Sequence, residues 1–150
     1  MTTATEGSVE PSSLPGLDQI LDTMISLTRL ASLQRVIAAG DDGMALYLAL
    51  RRLGFVRVTT PAICRIPKAQ HGVGLIAGRI AGAESILDQL SPFLATNATV
   101  ALLVGARDSS LKIRTRLRNL GFRIEAGVRC TSGLVLSACR EGYGQMERAA

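Results

Sequence analysis

From residue 14 onward, apolar and polar positions fall into blocks that switch between the helical and the strand period. Over 14–33, Leu17, Ile20, Leu21, Met24, Leu27 and Leu30 recur at three- and four-residue spacings, with Pro15 in the first turn. This is the stripe of an amphipathic helix, expected to pack on a sheet or, as the alternative, to serve a dimer. A short apolar run, 35–39, reads as a strand and ends in Gly40-Asp41-Asp42-Gly43. Residues 44–53 read as a helix anchored by Leu46, Leu48, Leu50 and Leu53 and stopped by Gly54. The next strand is 55–59. Strand, glycine turn, helix and strand make a βαβ unit, which implies parallel pairing and a right-handed crossover.

Residues 61–71, with two prolines, two cations and the single histidine, read as a loop. A third strand is expected over 73–80 and a helix over 83–94, interrupted near Pro92. Residues 99–104 are apolar on both faces, as a central parallel strand should be. A basic helix follows over 110–120, with Ile113, Leu117 and Leu120 as its buried stripe and Gly121 as its stop. The run 122–129 alternates, whereas 134–139 is almost wholly apolar. Thr131-Ser132-Gly133 between them predicts an antiparallel hairpin. The second hairpin strand, covered on both faces, belongs inside the sheet. The pattern therefore predicts a three-layer α/β domain over 14–140. Its sheet has about six strands, mostly parallel, with an antiparallel C-terminal hairpin strand.

The chain of 150 residues is one domain's worth, and its 47% apolar content is enough for a core. Residues 1–13 are polar and rich in Thr, Ser, Glu and Pro, and 141–150 carry little apolar content. Both are expected to be disordered or frayed. No apolar run reaches the roughly 18 residues of a membrane span, and the start lacks a secretory pattern, so a cytoplasmic protein is expected. Three cysteines in a domain of this size read as reduced thiols. One histidine and 3% aromatic residues leave little material for a histidine-based metal site or a base-stacking platform.

The net charge is +5, carried by arginine far more than by lysine. An anionic partner is one explanation; a high-GC genome using arginine as its default solvated cation is the other. Lys112, Arg114, Arg116 and Arg118 on the 110–120 helix could track a nucleic-acid backbone or form a solvated helix face. Cys64 beside Arg65, Lys68 and His71 has cations able to lower a thiol pKa. Cys130 and Cys139 read as small buried hydrophobes. Pairing Thr131 with Leu134 would set them opposite Val135 and Ala126, so they are not cross-strand partners. Asp41-Asp42 is compatible with a magnesium-holding acidic pair, although 73–80 offers no acidic phospho-acceptor. The pair also suits a helix N-cap and first turn.

The run Leu117-Arg118-Asn119-Leu120-Gly121-Phe122-Arg123-Ile124 resembles the late L-x-x-x-G-F junction of class I S-adenosylmethionine-dependent methyltransferases. The stretch 87–104, LDQLSPFLATNATVALLV, is similar to their helix, turn and central strand, with Asn97 where glycine is common. Their sheets also close on a hairpin whose last strand inserts antiparallel. The resemblance covers about 35–140 and implies a Rossmann-like fold. It further implies S-adenosylmethionine as the candidate cofactor, near Gly40, Asp41, Gly43, Thr59, Thr60 and Arg79.

Three departures from that family stand out. Ala38 replaces the acid before the glycine loop, whose spacing is contracted, and Asp41 and Asp42 would repel the methionine carboxylate. The second strand ends in Thr59-Thr60 rather than in the carboxylate that takes both ribose hydroxyls; a threonine makes only one such bond. About a dozen residues then lead to Val73, too few for a further strand–helix unit. The resemblance so qualified implies a degenerate, non-catalytic binding, regulatory or structural module. The alternatives are a small active methyltransferase, whose pocket a homodimer or protein partner could complete, and a basic nucleic-acid-associated protein. An anionic ligand would be expected between Arg79 and Arg107, the cations that follow apolar strands directly.

Overall fold

The computed structural model describes residues 16–61, 67–78, 82–105, 109–130 and 132–140. The expectations for 1–13 and 141–150, and Leu14 and Pro15 of the first helix, lie outside these residues. The described elements run α1 (Leu17–Thr28), β1 (Val36–Ala39), α2 (Gly43–Arg52), β2 (Val58–Thr59), β3 (His71–Ile76), α3 (Ala83–Leu90), a 3₁₀ turn (Ser91–Phe93), β4 (Leu94–Val104), α4 (Ser110–Asn119), β5 (Phe122–Cys130) and β6 (Gly133–Arg140). They form one six-stranded sheet in the order β2-β1-β3-β4-β6-β5. β2, β1, β3 and β4 pair in parallel, and β6 is antiparallel to both β4 and β5. The mostly parallel sheet with its hairpin strand tucked inside is thus as the apolar pattern predicts.

Each strand sends alternate side chains to opposite faces. From β1, Ile37 and Ala39 join Ile76, Leu87, Leu90, Leu102, Ile113 and Leu117 under α3 and α4. Val36 and Ala38 join Ile20, Met24, Leu46, Leu50, Leu75, Leu103 and Val135 under α1 and α2. The predicted stripe of α1 does pack on the sheet: Ile20, Leu21 and Met24 are buried, and Leu17, Leu27 and Leu30 pack against the same core. The helix is shorter than 14–33, because Arg29 adopts a left-handed conformation at φ 52° and its N–H turns back to the carbonyls of Ile25 and Ser26.

Other boundaries move for local reasons. In α2, Leu46 and Leu50 are fully buried, but Leu48 and Leu53 are 47% and 58% exposed. At about 100° per residue Leu48 lies on the opposite side from Leu46, and Ala49 takes the core position expected of it. β2 is confined to Val58–Thr59, since Phe55 N–H still bonds the carbonyl of Leu50 in the helix stop. His71 is no loop residue: it opens β3, is buried, and pairs with Leu94 before a register shift at Val73. β3 ends at Ile76, short of the expected 80, and α3 ends at Leu90, where Ser91-Pro92-Phe93 tightens into the 3₁₀ turn. β4 accordingly starts at Leu94, five residues before the expected strand.

In the hairpin Cys130 pairs with Gly133, and Cys139 with Arg123. The expected register was off because the pairing nearest the turn is Cys130 with Gly133 rather than Thr131 with Leu134, which moves the partner of Cys130 by two positions; the bulge between Ile124 and Ala126 moves that of Cys139 by a third. The two thiols are still not partners, and both are free and half-buried.

Two arginines tie neighbouring elements together. Arg116 on α4 bridges Glu84 at 3.0 Å and Asp88 at 3.1 Å on α3. Arg140, at the end of β6, stacks over Phe122 at 4.6 Å, bonds Ser91 Oγ, and donates to the carbonyl of Leu94 at 3.3 Å. No helix among the described residues is long and apolar enough to cross a membrane.

The burial pattern predicts opposite outcomes for two leucines. Leu102→Ala, in the fully buried centre of β4, should cost about 2–5 kcal/mol. Leu48→Ala should stay within about 0.5 kcal/mol of wild type. Urea unfolding of the two variants checks the contrast.

Candidate functional site at the C-terminal edge of the sheet

In open parallel sheets, ligands bind beyond the carboxyl ends of the strands. Here that rim is built by the turn from β1 to α2, the end of β2 and the end of β3. Gly40 leaves β1 with φ 101°, and a Cβ added there would stand 2.0 Å from the carbonyl oxygen of Ala77. The same oxygen accepts a hydrogen bond from Asp42 N–H at 3.1 Å, and Ala77 N–H donates to the carbonyl of Ala39 at 3.1 Å. Gly43 N–H folds back to the carbonyl of Gly40 at 2.9 Å. The glycine turn is therefore fastened to the end of β3 by its own backbone. Glycine at position 40 serves a protein–protein approach within the chain.

Gly43 opens α2 under equally close packing: a Cβ there would lie 3.1 Å from the carbonyl oxygen of Ala38 and 3.5 Å from Thr60 Oγ1. Asp42 is buried and occupies the N-cap position, but its side chain does not bond the first-turn N–H groups, contrary to the capping expectation. Asp41 is exposed and lies over Gly78, where a Cβ would meet Asp41 N at 3.1 Å. Thr60 is buried, and Thr59 is half-buried in register with Ile37.

A cleft of about 320 Å³ opens at this rim, lined by Ala39, Gly40, Asp41, Thr60 and Pro61 on one side and by Ile86, Gln89, Leu90 and Phe93 on the other. The structure thus brings together Gly40, Asp41 and Thr60 of the expected site residues. Gly43 sits beneath them, and Thr59 does not line the cleft. Arg79 and Arg107, the expected anion pair, lie outside the described residues, as does Cys64. The α3 wall was not anticipated from the sequence. Its signal is the i, i+4 spacing of Ile86 and Leu90, which puts the two on one face of α3; Phe93 joins them from the 3₁₀ turn.

Below the cleft, His71 Nδ1–H donates to the carbonyl of Phe93 at 3.3 Å. Burial holds this imidazole below its ordinary value of 6.5, and the nearby Arg35 acts in the same direction against the Phe93 bond.

No protein-family model and no curated sequence matches the chain. Solved structures do match in fold. A ribosomal protein L11 methylase from Lactobacillus delbrueckii subsp. bulgaricus superposes with a TM-score of 0.61 at 14% identity, over 83% of this chain and 78% of that one. A precorrin-6y C5,15-methyltransferase from Geobacter metallireducens GS-15 gives 0.60 at 15% identity, over 83% and 88%. A SAM-dependent methyltransferase from Aquifex aeolicus gives 0.55 at 12% identity, over 92% and 99%. The chain has the Rossmann-like fold of the class I S-adenosylmethionine-dependent methyltransferases.

Two outcomes follow from this rim. Gly40→Ala forces a methyl into the Ala77 carbonyl at a positive φ, and should cost at least about 3 kcal/mol in urea unfolding. His71 binds its proton less readily folded than unfolded. Its neutral form therefore supports stability above about pH 6.5, and that support is lost as pH falls through the lower folded value. His71→Gln should flatten this acid-side decline in thermal midpoint.

Proposed function

We propose that the chain is a methyltransferase-like domain without standard cofactor binding, working as a non-catalytic binding, regulatory or structural module. The observation that carries this reading is the fastening of the glycine turn to Ala77. In a dinucleotide-type site, glycines let the backbone approach a ligand, and N–H groups at the helix start point at it. Here the close approach of Gly40 and the N–H of Asp42 are both used on the β3 carbonyl. The described residues also fit S-adenosylmethionine poorly in chemistry. The end of β2 offers the hydroxyls of Thr59 and Thr60 in place of a carboxylate, and Asp41 adds a negative side chain to the cleft lining, unfavourable for a ligand that carries a carboxylate. Among the described residues the sheet ends at β2 beyond β1, in keeping with a lost strand–helix unit.

A second reading, a small active methyltransferase, draws on the cleft and on the methyltransferases among the fold neighbours. It would use Gly40, Asp41, Gly43 and Arg79 around a reshaped pocket. A nucleic-acid role has less support: of the cations on α4, Arg116 is engaged by Glu84 and Asp88, and Arg114 Nε–H donates to Ser110 at 3.2 Å.

Isothermal titration of the full chain with S-adenosylmethionine separates the first two readings. Binding weaker than about 1 mM is expected, and a micromolar Kd overturns the non-catalytic reading in favour of the enzyme.

A further inference from the structure

The flank of the molecule formed by α2 and β2 combines exposed apolar side chains with exposed arginines. Met44 and Leu48, one helical turn apart, are 42% and 47% exposed on the outer side of α2. Val56 is 56% exposed, and Arg51 Nη1–H donates to its carbonyl at 3.0 Å, which draws the loop against the same helix face. Exposed Arg51 and Arg52 follow Leu48 on the same side of α2, and exposed Arg57 follows Val56 in the chain. No Asp or Glu occurs anywhere from Gly43 to Ala83. The carboxylates of Glu84, Asp88 and Glu125 pair with Arg116 and Arg123, on α3, α4 and β5.

We propose that this flank docks an acidic amphipathic helix of a partner protein. Such a helix would place apolar residues at i, i+3 or i+4, and i+7 over Met44, Leu48 and Val56, with Asp or Glu beside Arg51, Arg52 and Arg57. The charge selects this occupant over the others. A two-fold contact with a second copy sets arginines against arginines across the axis. A nucleic acid would lay phosphates over the three apolar side chains and gain no stacking, since Tyr47 and Phe55 are half-buried against the core. The surface rests on the reading of the domain as a binding module. A chain that titrates with S-adenosylmethionine yet selects acidic peptides would lose that reading and keep this surface.

The test is a selection from displayed random peptides of about 16 residues, about four helical turns, on the full chain. Enriched peptides should be net acidic with helical apolar spacing, and should bind Leu48→Asp about tenfold more weakly in fluorescence anisotropy. Leu48 is half-exposed, so this variant should keep the wild-type circular dichroism and thermal midpoint. Arg51→Glu with Arg52→Glu should weaken the same peptides and accept versions with their acids changed to lysine. No enrichment, neutral or basic winners, or equal binding to Leu48→Asp overturns the proposal. Two further results would also overturn it: a dimer in sedimentation that Leu48→Asp dissolves, or displacement of the peptides by a short DNA duplex.

Discussion

From Val100 to Val104, strand β4 must satisfy two neighbours of opposite direction while both of its faces are buried. Its backbone from Thr99 to Leu102 pairs in parallel with β3 on one side and antiparallel with β6 on the other. Val100, Leu102 and Val104 meet α3 and α4, and Ala101 and Leu103 meet the α1 and α2 side. The remaining strands are laid out from this one, and so is the height of every strand end. Gly133 shows how tightly the hairpin is fitted to it: a Cβ there would stand 2.4 Å from the carbonyl of Val104.

That register decides what the rim is able to do. With Ala39 paired to Ile76, the turn after β1 arrives level with Ala77, and the Ala77 carbonyl becomes the acceptor for Asp42 N–H. A backbone donor at a helix start that has found a partner inside the chain is no longer available to a ligand without breaking that bond. The contracted glycine spacing and the seating of the loop are thus two aspects of one geometry. Asp41 is exposed over this turn.

The sequence resolves the sheet better than the rim, and the reason is the range of the forces involved. Period-two and period-3.6 burial is local, so 99–104, 134–139 and the α1 stripe identify the layers from the chain alone. Leu48 and Leu53 fail because four leucines in ten residues satisfy more than one helical face, and only the sheet chooses between them. His71 fails because its place is set by a carbonyl 22 positions away, at Phe93. The cleft half-follows: Gly40, Asp41 and Thr60 sit at strand ends that topology locates, whereas Ile86 through Phe93 reach it only through the packing of α3.

The arginine excess also separates into parts once the fold is known. Arg140 and Arg116 are structural, the first seated on Phe122 and the 3₁₀ turn, the second joining two helices through carboxylates. A cation so engaged contributes packing and hydrogen bonds, and adds little to the outward field. Arg51, Arg52 and Arg57 have a different setting, on a flank whose sequence lacks acids from Gly43 to Ala83. Solvated arginines beside polar residues would need no further account. Around exposed Met44, Leu48 and Val56 they mark a surface whose apolar centre favours burial and whose rim discriminates by charge, the arrangement of a protein interface.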